Sequence, residues 1–420
     1  MNKSENEVKE SSLLSLLTKR VFLSPISDGT FYSSHIAYFV LILMEVFTVI
    51  VCKYLYIING GARMSKKTVA VIFGGVSSEH EVSCISSSSV ITNIDKEKFD
   101  LILIGITKEG KWFRYNGPVK DIAEGSWVNG DLTPCFISPD RGVHGILEML
   151  PDGTTRQTRI DTVFPVLHGK NGEDGTIQGL FMLAGIPFVG CDALSSAVCM
   201  DKAVCNMLVD HAGIKRADWR YITKDRMSDL DSFKEECENA FGYPMYIKPA
   251  NAGSSVGVSR AADRAEFDAA VEEAFRHDYK IIAEREIVAQ EVECAVLGNS
   301  EPMASVLGEI APADGFYDYE SKYINGTSQL FIPARVSEET SDLIRKTAVE
   351  VYRLLGCSGL ARVDFLLEKS TGIPYLNELN TLPGFTSISM YPKLIEATGI
   401  SYTDLLTKLI DLADERSEDI

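Results

Sequence analysis

In the stretch YLNELN, residues 375–380, Glu378 and Asn380 stand two apart on an otherwise largely apolar run. Side chains at i and i+2 of a strand share a face, so a carboxylate and a carboxamide here point into one space. Hard oxygen donors side by side suit magnesium. Upstream, GLARVDFLLE and GIPYLNEL read as two strands joined at KSTG, a hairpin that brings Asp364 to within about one residue of facing Glu378. Asp364, Glu378 and Asn380 are therefore candidate metal ligands. Water-facing carboxylates on an edge strand are the plainer reading, yet both strands are apolar and buried carboxylates are rarely left without a partner. Arg362 shares the face of Asp364. It is either a simple salt-bridge partner or the guanidinium that an acyl- or phosphoryl-transfer site needs against developing negative charge, and the main-chain N–H of Gly384, after Pro383, could assist it.

ANAGSSVGVS, residues 250–259, follows a strand that ends near Lys248. Glycines let main-chain N–H groups approach phosphate oxygens, and an ammonium just upstream can neutralise them. Neither a GxxxxGK[ST] loop nor a GxGxxG fingerprint is present. A small-residue hairpin turn is the competing reading of this stretch.

The elements that must carry these groups form an α/β pattern. TVAVIFGG, SSEHEVSCISSSSVITNI and FDLILIGIT read as strand, helix and strand, the signature of a parallel sheet. A strand at 162–167 then leads into a glycine-rich loop holding His168, a helix from about 175 and a short strand at Pro187 to Val189. From Cys191 a smaller α+β unit runs through an amphipathic helix, MDKAVCNMLVDHAGI, to the Lys248 strand and the helix AEFDAAVEEAFRHD. EVECAVLG, PMASVLGEI and the final hairpin make a third unit, with helices over about 338–355 and 401–415. The polar stretch GFYDYESKYINGTSQLFIPA, residues 315–334, exceeds the ordinary loop length and is a candidate lid. The expected division is 1–63, 64–190, 191–285 and 286–420.

A chain of 420 residues with 45% hydrophobic and 24% charged residues is ordinary globular material, large enough for several cores. Its net charge of −18 opposes nonspecific nucleic-acid binding, which depends on cationic side chains. The nine cysteines include no CxxC pair and fit packing roles in a reducing compartment. Residues 1–63 do not match the rest. Their apolar run, IAYFVLILMEVFTVIVCKYLYII at 36–58, is long enough for a membrane helix but contains Glu45 and Lys53. Met64, directly before SKKTVAVIFGG, reads as the natural beginning of the enzyme, and membrane contact is expected only if residues 36–58 are truly expressed.

Taken in order, VAVIFGGVSSEHEVS, VLHGKNGEDGTIQG, CMDK, IKPANAGSSVGV, FYDYESKY, ARVDF and NELNTLPGFTSISMYP resemble the motifs of D-alanine–D-alanine ligases over residues 67 to about 415. The resemblance implies a three-lobed ATP-grasp fold: an N-terminal parallel-sheet domain, a small central α+β lobe and a C-terminal α+β domain. It implies that Glu79 holds the ammonium of a first D-alanine, that His168 lies near that substrate, and that Ser254 and Tyr323 share a hydrogen-bonded set with Glu79. Lys202, Lys248 and Ser255 would meet the ATP phosphates, Glu284 and Ile287 the base, and Glu291 the ribose. Arg362, Gly384 and Ser389 would serve catalysis, with Lys322 and Met390 at the substrates. The implied cofactors are ATP as substrate and two magnesium or manganese ions on Asp364, Glu378 and Asn380. A cytoplasmic homodimer is implied as well.

The expected reaction joins two D-alanines through an acyl phosphate, for peptidoglycan precursor synthesis. The alternative is a ligase that places D-serine second. Met390 stands where resistance-type relatives resemble one another in carrying arginine, and a thioether suits a methyl better than a hydroxyl. A nucleotide-binding regulator would be expected to have broken ligand positions, whereas Arg362, Asp364, Glu378 and Asn380 are all present. Nothing suggests the biotin site of a carboxylase.

Overall fold

The structure, a computed structural model, describes residues 66–311 and 329–418. The first strand, β1 (Lys67–Gly74), is apolar on both faces and has its last six residues buried, as a strand covered from both sides requires. It pairs in parallel with β2 (Phe99–Ile106) and with β7 (Thr162–Pro165). The helix His80–Asn93 makes the crossover between β1 and β2. Four antiparallel strands extend this parallel centre: β3 (Trp112–Tyr115), β4 (Leu132–Ile137), β5 (Gly145–Met149) and β6 (Thr155–Arg159). The sheet order is β6-β5-β4-β3-β2-β1-β7. These four strands escape a reading by hydrophobic pattern because they are short and partly polar; β6, TRQTR, has no apolar residue at all. The strand expected at Pro187 to Val189 is only a single parallel bridge, Val163 to Phe188: no second consecutive pair forms.

The second sheet, order β10-β9-β11-β8, is antiparallel throughout and built from β8 (Trp219–Thr223), β9 (Met245–Pro249), β10 (Ser259–Ala261) and β11 (Lys280–Arg285). The helix Arg264–His277 covers it by burying Phe267, Ala270, Val271, Ala274 and Phe275, the spacing of one helical face. Asp263 caps that helix by accepting from the N–H groups of Ala265 and Glu266.

The third sheet runs β14-β13-β12-β15-β16, with β12 (Ala289–Leu297), β13 (Met303–Ala311), β14 (Gln329–Phe331), β15 (Leu360–Glu368) and β16 (Pro374–Asn380). One face, through Val292, Cys294 and Val296, packs on the helix Glu338–Leu354. The other face, through Ala295 and Leu297, joins a core that includes the helices Met390–Ala397 and Tyr402–Glu418 and reaches Phe73 and Phe164 of the first sheet. Phe385 ties these parts together, meeting Phe164 edge-on at 6.1 Å and stacking with Tyr402 at 6.2 Å.

Of the expected lid, residues 329–331 are the strand β14 rather than loop, paired with β13, and 312–328 lie outside the described residues. So does the apolar run at 36–58. No helix among the described residues is long and apolar enough to cross a membrane. All eight described cysteines are buried free thiols.

Candidate active site

Two clefts meet between the sheets. One is lined by Glu79, His168, Arg362, Asn380, Gly384, Ser389 and Met390, the other by Lys248, Ser255, Glu284, Ile287 and Glu291. Lys202, Ser254 and Glu378 line both. The structure thus gathers sixteen of the eighteen site residues expected from the sequence around one pair of clefts, Asp364 through its hydrogen bonds to Arg362. The other two, Lys322 and Tyr323, lie outside the described residues.

In the second cleft, Lys248 and Glu284 come from adjacent strands, since Ile282 of β11 faces Lys248 of β9. Their side chains meet at 2.6 Å. Burial by itself would lower the pKa of Lys248, but Glu284 outweighs it and the net direction is upward. Burial likewise opposes the charge on Glu284, and Lys248 holds its carboxyl below the ordinary range. The pair stays ionised because each member supplies the other's countercharge. Lys202 follows the cap residue Asp201 at the start of the helix Lys202–His211. Its Nζ donates to the Ala252 carbonyl at 2.8 Å and lies 3.6 Å from Glu378 Oε2.

The glycine-rich loop turns through Ser254 and Ser255, with φ of 50° and 59°. Positive φ at both central positions, with the Val256 N–H donating to the Gly253 carbonyl at 3.1 Å, makes this a tight β-turn between the two clefts. Ser254 Oγ donates to Glu79 Oε1. A Cβ on Gly169 would stand 2.6 Å from Glu79 Oε2, and one on Gly253 would stand 3.1 Å away. Glycine at these two positions lets the loops close around the carboxylate.

His168 is buried on the far side. Its Nδ1 is 3.1 Å from the Leu382 carbonyl and so donates to it, while Nε2 is 3.2 Å from Ser86 Oγ. Burial pushes the imidazole pKa down, but Glu173, 3.9 Å away, and Glu79 more than reverse this, so that it lies above the ordinary histidine value. Burial raises the pKa of Glu173 in turn.

On the third sheet, Asp364 faces Glu378 directly and Arg362 faces Asn380. The register of the hairpin therefore sets the three oxygen donors on neighbouring positions of one face. Arg362 donates to both oxygens of Asp364, at 2.8 and 2.7 Å. Asn380 Oδ1 accepts from Leu382 N at 3.1 Å and shapes the turn into Gly384. Ser389 Oγ accepts from Thr386 N at 3.0 Å and would lie 2.7 Å from a Cβ on Gly384. The donor set fits a hard divalent cation: two carboxylates and a carboxamide, with the negative charge answered by Arg362 and Lys202. Among the described residues no group of three carboxylate, imidazole or thiol side chains makes a metal site, and the donor set counts the Asn380 carboxamide as its third member.

Sequence reasoning missed Glu293, Glu173 and Ser86. Glu293 had a signal: it stands two residues after Glu291 in QEVEC, the same spacing that singled out Glu378 and Asn380. Ser86, in a run of serines, had none.

Residues 68–191 match the D-ala D-ala ligase N-terminus family and residues 208–411 the D-ala D-ala ligase C-terminus family. A D-alanine–D-alanine ligase from Acetivibrio thermocellus is 51% identical over 368 residues, spanning 84% of this chain and 97% of that protein. One from Caldicellulosiruptor bescii is 50% identical over 355 residues, with 84% and 97% covered. Among solved structures, the VanG D-Ala:D-Ser ligase from Enterococcus faecalis superposes with a TM-score of 0.76 at 45% identity, covering 83% of this chain and all of that one (100%). A D-alanine–D-alanine ligase from Bacillus anthracis complexed with ATP gives a TM-score of 0.61 at 28% identity, with 84% and 99% covered.

Proposed function

Because this chain belongs to the D-alanine–D-alanine ligase family, we propose that it joins two D-alanines into a dipeptide with conversion of ATP to ADP and phosphate. The observation that carries this reading is the shared wall of the two clefts, where Lys202 and Glu378 face both compartments. A triphosphate in one compartment would present its γ-phosphoryl group to a carboxylate bound in the other.

In this reading a carboxylate oxygen of the first D-alanine attacks the γ-phosphorus, ADP leaves, and an acyl phosphate forms. Glu79, held by Ser254, binds the ammonium of that D-alanine. Lys202, Lys248 and the N–H groups of the glycine loop, including that of Ser255, hold the phosphates. Glu284 and Ile287 meet the base, and Glu291 the ribose. Asp364, Glu378 and Asn380 would hold the magnesium or manganese ions, which would supply neutralisation of phosphate charge there. The amine of the second D-alanine then attacks the activated carbonyl, and Arg362 with the Gly384 N–H stabilises the oxyanion until phosphate departs. Met390 and Ser389 border that step from the first turn of their helix. Tyr323 and Lys322, which lie outside the described residues, are given a part on the substrate side by the family resemblance alone. The same reading carries the divisions 64–190, 191–285 and 286–420, a homodimer and a cytoplasmic role in peptidoglycan precursor synthesis.

The test is ADP release and dipeptide formation by the purified chain with ATP, magnesium and D-alanine, alone and against equal D-serine. D-Alanyl-D-alanine is the expected main product. No dipeptide would sink the ligase reading, and a faster reaction with D-serine would replace the acceptor.

A further inference from the structure

Glu293 stands in a row of three carboxylates on adjacent strands: it faces Asp364 across β12 and β15, and Asp364 faces Glu378 across β15 and β16. It is 6% exposed and lines the first cleft. Arg362 lies between two carboxylates, hydrogen-bonded to Asp364 and in ion-pair contact with Glu293. Its guanidinium chelates Asp364, and its Nε lies 3.1 Å from Glu293 Oε2. Burial opposes the guanidinium's charge, and Asp364 and Glu293 together outweigh that opposition.

The two anchors differ in what else is asked of them. Asp364 belongs to the donor set proposed for the cation, and a carboxylate whose two oxygens both accept from a guanidinium must share its charge and its remaining lone pairs between that guanidinium and a metal, so the two compete for it. A buried arginine that loses its bidentate partner needs another, because an unpaired buried charge is costly. Glu293 is the carboxylate in place to supply it, and it is not in the donor set.

We propose that Glu293 is a positioning residue that retains Arg362 in the first cleft when Asp364 turns to the cation, keeping the guanidinium directed at the oxygen that becomes negative in acyl transfer. The inference rests on the ligase reading. It makes two separable demands: the charge on Glu293 lowers the competition between Arg362 and the metal for Asp364, and it sustains turnover after nucleotide is bound.

Glu293→Gln keeps the size and an acceptor oxygen but removes the charge. Two measurements apply: calorimetric binding of a non-hydrolysable ATP analogue across a magnesium titration, and steady-state kinetics with D-alanine. Arg362 then stays with Asp364, so the magnesium needed for half-maximal analogue binding is expected to rise about fivefold or more, and kcat to fall about 10- to 100-fold with the KM for ATP little changed at saturating magnesium. Glu293→Asp is expected to fall between the parent and Glu293→Gln on both measures. A merely structural role would lower the melting temperature and leave the magnesium requirement alone. The proposal is overturned if Glu293→Gln, folded, keeps both quantities within about twofold of the parent. If Glu293→Gln does not fold, Glu293→Asp decides: an intermediate magnesium requirement supports the proposal and a parent-like one overturns it. Analogue binding needs no D-alanine, so a parent that binds magnesium-nucleotide yet forms no dipeptide marks failure of the ligase reading instead.

Discussion

Lys202 Nζ stands 3.6 Å from Glu378 Oε2 at the one wall that both clefts share. The two residues come from different sheets' neighbourhoods, Lys202 from a helix start beside the glycine loop and Glu378 from the last strand of the third sheet. Their meeting brings the cation proposed to bind phosphate next to the proposed metal ligand.

Lys202→Met should therefore weaken nucleotide handling more than amino-acid handling. A charged hydrogen bond is worth about 1.5–3 kcal/mol, so the KM for ATP should rise about tenfold or more while the KM for the first D-alanine moves little. Steady-state kinetics with each substrate varied in turn checks this; a parent-like KM for ATP would detach Lys202 from the phosphates.

Glu173 is the largest influence raising the pKa of His168 against burial. Because that folded value lies above the unfolded one, the contribution of His168 to stability is full below about pH 6.5 and is lost as pH rises through the folded value. Glu173→Gln leaves burial opposed mainly by the weaker influence of Glu79, so the imidazole should titrate at lower pH. An NMR titration of the ring Cε1–H reads this directly, and an unmoved or upward pKa would contradict the pairing.

Glu148 is fully buried and accepts from Arg114, Arg156 and Thr158. Burial would raise its pKa, but these donors bring it from 4.5 down to about 2. Its contribution is then present above pH 4.5 and lost as pH falls towards about 2. The size is on the order of 3 kcal/mol. Glu148→Gln should lose most of that at neutral pH and flatten the acid limb of stability, as denaturant melts at a series of pH values would show.

A Cβ on Gly308 would stand 2.2 Å from Met390 Cε and 2.9 Å from Leu394 Cδ2. Gly308→Ala should cost about 1–3 kcal/mol of stability and push the Met390 thioether into the first cleft, changing the KM for the second D-alanine several-fold. Thermal melts and acceptor kinetics test both parts. If the KM holds while stability falls, Met390 does not border the acceptor.

Much of the molecule was legible in the chain. Long apolar runs such as TVAVIFGG and FDLILIGI made β1 and β2 visible, and the helix Arg264–His277 announced itself by its spacing. The turn at KSTG placed Asp364 within about one residue of Glu378, because register in an antiparallel pair follows from the turn, and a β-bulge between Asp364 and Phe365, which no turn rule foretells, brings the two face to face. The strands β3 to β6 were hidden because they are short and mix apolar with polar residues, β6 having no apolar residue, and their pairing is decided by neighbours rather than by their own pattern.

The residue types, and the spacing of oxygen donors along single strands, were thus set by the sequence itself, since strand periodicity is a local property. Contacts between distant segments were decided only by tertiary structure. Glu79 meets Ser254 from 175 positions away, and His168 reaches Leu382 from 214. Glu293 became a partner of Arg362 only when β12 paired with β15. No local rule relates such residues; the packing of three sheets around shared cores does.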